Sequence, residues 1–316
     1  MLHKPVWTGI DIGHHSVKAV VLKQNKGRLA LLGYAEVALS PAEHAGASPG
    51  GGSYQNSLSE PILLSALRKI RMLLPKRAVR AVLSLPDSEV VQQVLTLEPR
   101  WGQDIGTELA KILADTLSMA PEALSLDYSP SLASEQGAAE DRLRFQVVAA
   151  KTTVVEARAR SVREAGFEPV IMELQARALL WLLEYCQRQA ITAMGTNPAL
   201  VCIGADEVDL AAGFAHSQPL HRTFEQNGDC QMPPPALIRQ LQHYQVLSPL
   251  TGLWLTGRPV SDADLILWQQ ACGLPVAYLT SELLFPTLSR TTTVAVPADT
   301  AWARAAALAV RGGLSC

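Results

Sequence analysis

The sequence predicts an α/β protein of two lobes, and three observations carry that prediction. The chain has 316 residues, more than one typical domain, so two separate cores are expected. A strand, glycine turn and second strand open the chain and return about 190 residues later. Strand-like and helix-like apolar stretches follow one another through both halves. Apolar residues make up 48% of the chain and aromatics only 5%, so Leu, Val and Ala must fill the interior.

The elements follow in order. Residues 6–12 and 17–23 read as strands. Asn25-Lys26-Gly27 is a turn signal and "RLALLGYAEVAL" a third strand, which makes an antiparallel meander. The glycine-rich stretch 41–56 reads as a flexible loop. A helix is expected from Glu60 to Leu74, with Ser59 as its cap and Pro61 in its first turn. Leu63, Leu67, Ile70 and Leu74 give it an apolar stripe. "RAVLSLP" is a strand entering a loop at Pro86-Asp87, and "SEVVQQVLTLE" has strand character. A helix over about 103–118 carries Ile105, Leu109, Ile112 and Leu113. "ALSLDYSP" and "LRFQVVAA" read as strands, with residues 129–141 a polar loop between them. Thr152 or Thr153 caps a helix ending at Gly166, a natural residue for that position. "EPVIMEL" is a strand, and "QARALLWLLEYCQRQ" a helix apolar enough to be buried.

The second half repeats the opening. "VCIGADEVDLAAGF" aligns under "IDIGHHSVKAVVLK", with Ile203-Gly204 on Ile12-Gly13 and Val208 on Val17. "QPLHRTFE" parallels the third strand of the meander. A helix over Pro233–Val246, the strand "GLWLTG", a helix over Ser261–Cys272 stopped by Gly273 and Pro275, and the short strand "PVAYL" follow. The last helix is expected to begin after Pro297 and to end at Gly312.

Composition removes several function classes. The net charge is −2 and the pI about 6.4, so no global basic field attracts nucleic acid. No apolar run approaches the roughly 20 residues that span a bilayer. The N-terminus lacks the apolar core and cleavage site of a signal peptide. The expectation is a cytoplasmic protein whose membrane location, if it has one, comes through partners. Cys186, Cys202, Cys230, Cys272 and Cys316 show no C-x-x-C spacing and are odd in number. Buried, reduced thiols are expected, with neither a zinc site nor a disulfide framework.

The hairpin "IDIGHHSVKAVVL" carries the candidate chemistry. A tight glycine turn directs backbone N–H groups at one anion, and Gly13 removes a Cβ that would block its approach. Ser16 adds a hydroxyl donor and Lys18 a cation. Asp11 acts on a divalent metal through water, since magnesium takes one or two carboxylates and keeps several waters. Two such hairpins, with "LTG" on a later strand, describe two lobes closing on a nucleotide.

In this order the segments resemble the PilM family of type IV pilus assembly proteins. "GIDIGHHSVKAVVL" resembles the family's first phosphate motif. "LSLDYSP", "FQVVAAKTTVVEARARSVREAGFEPVIMELQARAL" and "ALVCIGADEVDL" follow in the family's order, and the similarity covers nearly the whole chain. Its length and divergence resemble the HofM branch, associated with use of external DNA. The resemblance implies a duplicated actin-like, FtsA-like ATPase fold with an inserted 1C-like subdomain. Its implied plan is 1–77 for subdomain 1A, 78–170 for the insertion and 171–196 for the return to 1A. Residues 197–297 are the second lobe (2A/2B), and 298–316 a C-terminal helix packing on 1A. It implies a cytoplasmic adaptor, peripheral at the inner membrane, that docks the cytoplasmic N-terminus of a PilN-like protein. PilO and the pilus motor are then indirect partners. It also implies a nucleotide site of Asp11, Gly13, Ser16, Lys18, Gly204, Ala205 and Gly257.

The carry-over is uneven. The second phosphate motif keeps Gly204 and Ala205 but has Cys202 for its usual Asp, and a neutral thiol is a poor ligand for hard magnesium. The adenosine motif has become "LTGRPVSD", in which Gly257 remains and Arg258-Pro259 stiffens the turn. ATP and magnesium are therefore expected to bind weakly or not at all. The alternative is an active nucleotide-dependent enzyme of the actin-like or sugar kinase superfamily, which needs intact motifs and a carboxylate base. Plainer readings hold elsewhere. His14-His15 is a solvated loop, His216 and His221 flank a turn, and Cys202 is a small buried hydrophobe. The basic cluster Arg68, Lys69, Arg71, Lys76 and Arg77 is a solvated helix face. The inserted subdomain is the interaction candidate.

Overall fold

Val, Ile and Leu dominate the first forty residues of the computed structural model, and they form three long strands. β1 (Val6–Ile12) pairs antiparallel with β2 (Ser16–Asn25), and β2 with β3 (Arg28–Ala38). The structure describes residues 5–25, 28–39, 60–98, 102, 104–131, 143–189, 191, 193–213, 219–226, 232–285 and 300–314. The expected loop at 41–56, the Ser59 cap, His216, Cys230 and Cys316 lie outside the described residues.

α1 (Glu60–Leu73) buries Leu63, Leu67 and Ile70 as its stripe requires. β4 (Arg80–Leu85) then joins the sheet parallel to β1, and β8 (Glu168–Leu174) lies beyond it, giving the order β3-β2-β1-β4-β8. α4 (Gln175–Arg188) follows β8 and is buried along most of its length. The second half rebuilds the same plan. β9 (Pro198–Ile203), β10 (Glu207–Ala212), β11 (Leu220–Glu225), β12 (Gly252–Gly257) and β13 (Val276–Tyr278) give the order β11-β10-β9-β12-β13. Again the first three are antiparallel, and the next pairs parallel to the first. The duplication read from a few hydrophobic positions is a duplication of sheet topology.

α5 (Pro235–Leu247) and α6 (Asp262–Cys272) cover one face of the second sheet, where Leu237, Leu241 and Trp268 are buried. α6 has a complete capping box of Ser261 and Asp264, and Gly273 ends it in the left-handed conformation. α1, with Val162, Ala165 and Phe167, covers the outer face of the first sheet. α4 and the last helix, α8 (Ala303–Leu314), lie in one core with Trp7, Leu22 and Leu31 of the first sheet and Leu200 and Trp254 of the second. They form the layer between the two sheets.

The last helix differs from the sequence reading at both ends. It starts at Ala303 and runs through Gly312-Gly313 to Leu314. Those glycines act in packing: a Cβ on Gly312 would fall 2.5 Å from the Trp7 ring. Ile112 is exposed, and a four-residue helix, α7 (Ser281–Leu284), is present. β6 runs to Pro130 as the stretch "ALSLDYSP" predicts, which takes residues 129–130 out of the expected loop. Thr152, one of two caps expected for α3 (Thr152–Glu164), is that helix's first residue.

A second compact unit, Leu85–Arg160, is inserted between β4 and β8. It lies within the expected 78–170 segment. Its sheet has the order β5-β7-β6, with β5 (Val90–Leu97), β6 (Leu124–Pro130) and β7 (Leu143–Lys151) all antiparallel. α2 (Ile105–Leu117) packs on one face through Leu109 and Leu113, against Phe145 and Val147. The second half has no counterpart, since β12 passes to α6 in four residues.

α8 meets β1 at Gly9, where a Cβ would lie 1.9 Å from the Ala305 carbonyl oxygen and 2.4 Å from the Ala309 nitrogen. Gly9→Ala should lower the unfolding free energy by about 2 kcal/mol or more, because backbone cannot move aside as a side chain can. Gly13→Ala, whose Cβ would lie 3.3 Å from the Ser16 oxygen, should cost about 1 kcal/mol or less. Urea titration of the two variants checks the contrast.

Candidate functional site

The two hairpin turns have the same hydrogen-bond design. Ile12 pairs with Val17 in the first and Ile203 with Val208 in the second. The Gly13 N–H donates to the Ser16 carbonyl at 3.1 Å, and the Gly204 N–H to the Glu207 carbonyl at 2.8 Å. The Leu39 N–H donates to the His15 carbonyl, and the Gln226 N–H to the Asp206 carbonyl, both at 2.8 Å. The two glycine N–H groups thus close their own turns.

In the first hairpin, buried Asp11 lies across the strand pair from Lys18. The Lys18 ammonium donates to the Ser16 hydroxyl at 2.9 Å and pairs with Glu36 at 3.4 Å. Partial burial pushes the Glu36 carboxyl upward, but the Tyr34 hydroxyl and the Lys18 charge more than offset this and hold it below its usual range. Ser16 and Lys18 are thus tied to each other and to β3.

The second hairpin reverses the polarity. Cys202 stands where the first copy has Asp11, and Asp209 where it has Lys18. Burial pushes the Cys202 thiol up to about 12, so it stays neutral. Asp209 is completely buried and accepts from the Thr223 hydroxyl at 2.7 Å. Its other oxygen accepts from Nε of Arg304, on the first turn of α8, at 2.6 Å. Nη1 of Arg304 pairs with Glu207 at 2.8 Å. Burial alone would push this guanidinium's pKa down, but Asp209 foremost, with Glu207 and Asp11, holds it well above its ordinary value.

Two further contacts join the copies. His15, at one turn, meets Asp206, the equivalent position of the other, at 2.9 Å. The expected solvated loop is exposed, and it is also a bridge between the lobes. Gln175, the first residue of α4, donates to Glu207. Ala205 is exposed at the tip of the second turn.

Gly257 is required by the backbone. Its φ is +94°, and a Cβ there would lie 2.2 Å from the Ile203 carbonyl oxygen. Its N–H donates to the Thr300 hydroxyl at 3.2 Å, and its carbonyl accepts from the Tyr278 hydroxyl at 2.7 Å. Gly257 is built into the junction of β9 and β12.

The structure places Asp11, Gly13, Ser16 and Lys18 at the first hairpin and Gly204 and Ala205 at the second, beside Cys202, with Gly257 paired to Ile203 on β12. Sequence reasoning missed Arg304, Glu207, Asp209 and Gln175. The signals were an Arg in the first turn of an alanine-rich helix and the acidic run "ADEVD". Magnesium needs hard oxygen donors with room for its waters. Here a guanidinium already holds two of the carboxylates and a neutral thiol replaces a third, so the arrangement does not fit a magnesium–nucleotide.

The family model described as type IV pilus assembly protein PilM matches residues 9–229. A solved structure of the PilM-PilN type IV pilus biogenesis complex is similar with a TM-score of 0.68 at 16% identity, covering 97% of this chain and 98% of that chain. The cytoplasmic domain of EpsL, an inner membrane component of the type II secretion system of Vibrio cholerae, gives 0.48 at 9% identity, covering 99% and 96%. Ethanolamine utilization protein EutJ from Carboxydothermus hydrogenoformans gives 0.44 at 11% identity, covering 97% and 89%. No curated protein matches by sequence. With the duplicated sheets, the first likeness shows the actin-like fold that the sequence predicts.

One partly buried titratable group lies away from the hairpin ends. Burial, with the charges of Arg177 and Arg222, lowers His221 on β11 to about 4 from an ordinary 6.5. Its Nδ1 has no hydrogen-bond partner among the described residues. As pH falls below 6.5 the unfolded chain takes up a proton that the folded chain refuses, so stability declines until about pH 4 and then levels. His221→Gln should flatten this limb, by on the order of 2–3 kcal/mol between pH 7 and 4. Denaturant titrations across that range check it.

Proposed function

We propose, because this chain belongs to the PilM family of type IV pilus assembly proteins, that it is an adaptor docking the cytoplasmic N-terminal segment of a PilN-like inner-membrane protein. The carrying observation is the full-length likeness to the PilM–PilN structure together with the family match. Among the described residues no helix is long and apolar enough to cross a membrane, so a membrane-bound partner would supply the anchorage. PilO and the pilus motor would then be reached through that partner.

The adaptor works as a scaffold, with nucleotide binding weak or lost. Supporting this, the side chains of the candidate phosphate site are engaged with one another. Lys18 bonds Ser16 and Glu36, and Gly257 is held by Thr300 and Tyr278.

The inserted unit carries the docking surface in this reading. β5 and β6 are the edge strands of its sheet, and edge strands accept extended peptides by adding a strand. Val94 on β5 is exposed, as is Tyr128 on β6.

Calorimetric titration with a synthetic peptide of the cognate PilN-like N-terminus should give one-to-one, micromolar binding. Val94→Glu should weaken it about tenfold, roughly 1.4 kcal/mol, with unchanged circular dichroism. No binding to the unaltered chain overturns the adaptor reading. Binding that ignores Val94→Glu overturns the β5 placement alone.

A further inference from the structure

We infer that Arg304 is a built-in cation, locking the cleft between the two hairpins where a metal–nucleotide would bring its positive charge. This goes beyond the adaptor reading and does not rest on it.

The position of Arg304 is a poor one for a cation by local rules. It sits in the first turn of α8, a helix of twelve residues with no acidic residue in that turn. The positive end of the helix dipole disfavours a guanidinium there. Asp209 and Glu207 supply the compensation, through Nε at 2.6 Å and Nη1 at 2.8 Å. Both carboxylates belong to the second hairpin, and Asp11 of the first adds to the same field. The guanidinium is thus the positive centre for carboxylates drawn from both copies of the repeat.

Space has been made for it. A Cβ at Gly204 would lie 2.9 Å from Nη2 of Arg304 and 2.8 Å from the Glu207 carbonyl oxygen. The second phosphate-motif glycine therefore admits the guanidinium. Nη2 itself has no hydrogen-bond partner among the described residues. The contacts of Nε with Asp209 and of Nη1 with Glu207 are what fix the group.

The exchange of residues between the copies completes the arrangement. The carboxylate expected on β9 is Cys202, and a carboxylate appears instead across the strand pair as Asp209. From there it meets α8. Gln175 steadies Glu207, and His15–Asp206 ties the turn tips together. The cleft is neutralised by the protein's own side chain, and the two hairpins are held together without a ligand.

The test compares the unaltered chain with Arg304→Gln, using Mn2+ alone and ATP with magnesium as probes in calorimetry and thermal denaturation. The unaltered chain should bind neither probe below millimolar concentration, and Mn2+ should leave its Tm unchanged. Arg304→Gln should bind Mn2+ at least about tenfold more tightly, because Asp209 and Glu207 become free for a divalent ion. Its melting temperature should rise with Mn2+ concentration. Adding Asp209→Asn to Arg304→Gln should abolish that gain. If Arg304→Gln is unfolded alone, Mn2+ should restore its circular dichroism, and failure to do so counts against the inference. Micromolar binding of magnesium ATP by the unaltered chain overturns it. So does a folded Arg304→Gln protein with no gain in Mn2+ affinity, or a double variant that keeps the gain.

Discussion

The approach of α8 to β1 at Gly9 is the constraint on which the rest depends. Helix backbone meets strand backbone there, with no side chain between them. Only a glycine on the strand and small residues on the helix permit this, and α8 supplies Ala305 and Ala309. Gly312 repeats the device against Trp7 one turn further on. A helix held so close to one sheet presents its other side to the second sheet. The same core then contains Trp7, Trp254 and Trp302, with Phe285 stacked on Trp302. Burial on both sides fixes α8 along its axis as well as around it, because each residue has a shaped neighbour. Arg304 takes its place from that fixed axis.

Much of this fold was legible because its signals are local. The hairpins announce themselves by alternation and glycine, α1 by its stripe, and α6 by Ser261 and Gly273 at its ends. What sequence reasoning missed is tertiary. Gly312 looks like a helix stop, since glycine commonly ends helices, and only the Trp7 ring reveals that it is a packing residue. His15 looks like a solvated loop residue until the second turn is placed beside it. Arg304 looks like a solubilising charge in an alanine-rich helix, because its partners lie about 95 residues earlier in the chain. The two hairpins of the candidate site were legible for the same reason, since glycine turns between alternating strands have a local signature, whereas the ion pairs around them do not.

Duplication explains why so few changes rearrange the site. The two hairpins share register and turn hydrogen bonds, so a residue in one has a defined counterpart in the other. Asp11 faces Lys18 within the first copy. In the second, Cys202 faces Asp209, and the cation arrives from α8. In the first copy Lys18 pairs with Glu36 of β3, and in the second Arg304 of α8 pairs with Asp209 and Glu207. The first pair lies within one lobe, and the second couples a hairpin to the helix layer between the sheets.

This difference bears on how rigidly the lobes are joined. An ion pair between buried groups gains little over an apolar contact, because desolvation offsets most of the attraction. Breaking one by removing a partner is another matter, at about 3–5 kcal/mol. Asp209 is fully buried and Arg304 nearly so, so separating β10 from α8 would break this pairing. Here the charge is covalently part of α8 and cannot leave. The ion pair therefore ties the second hairpin to α8 through the protein's own side chains.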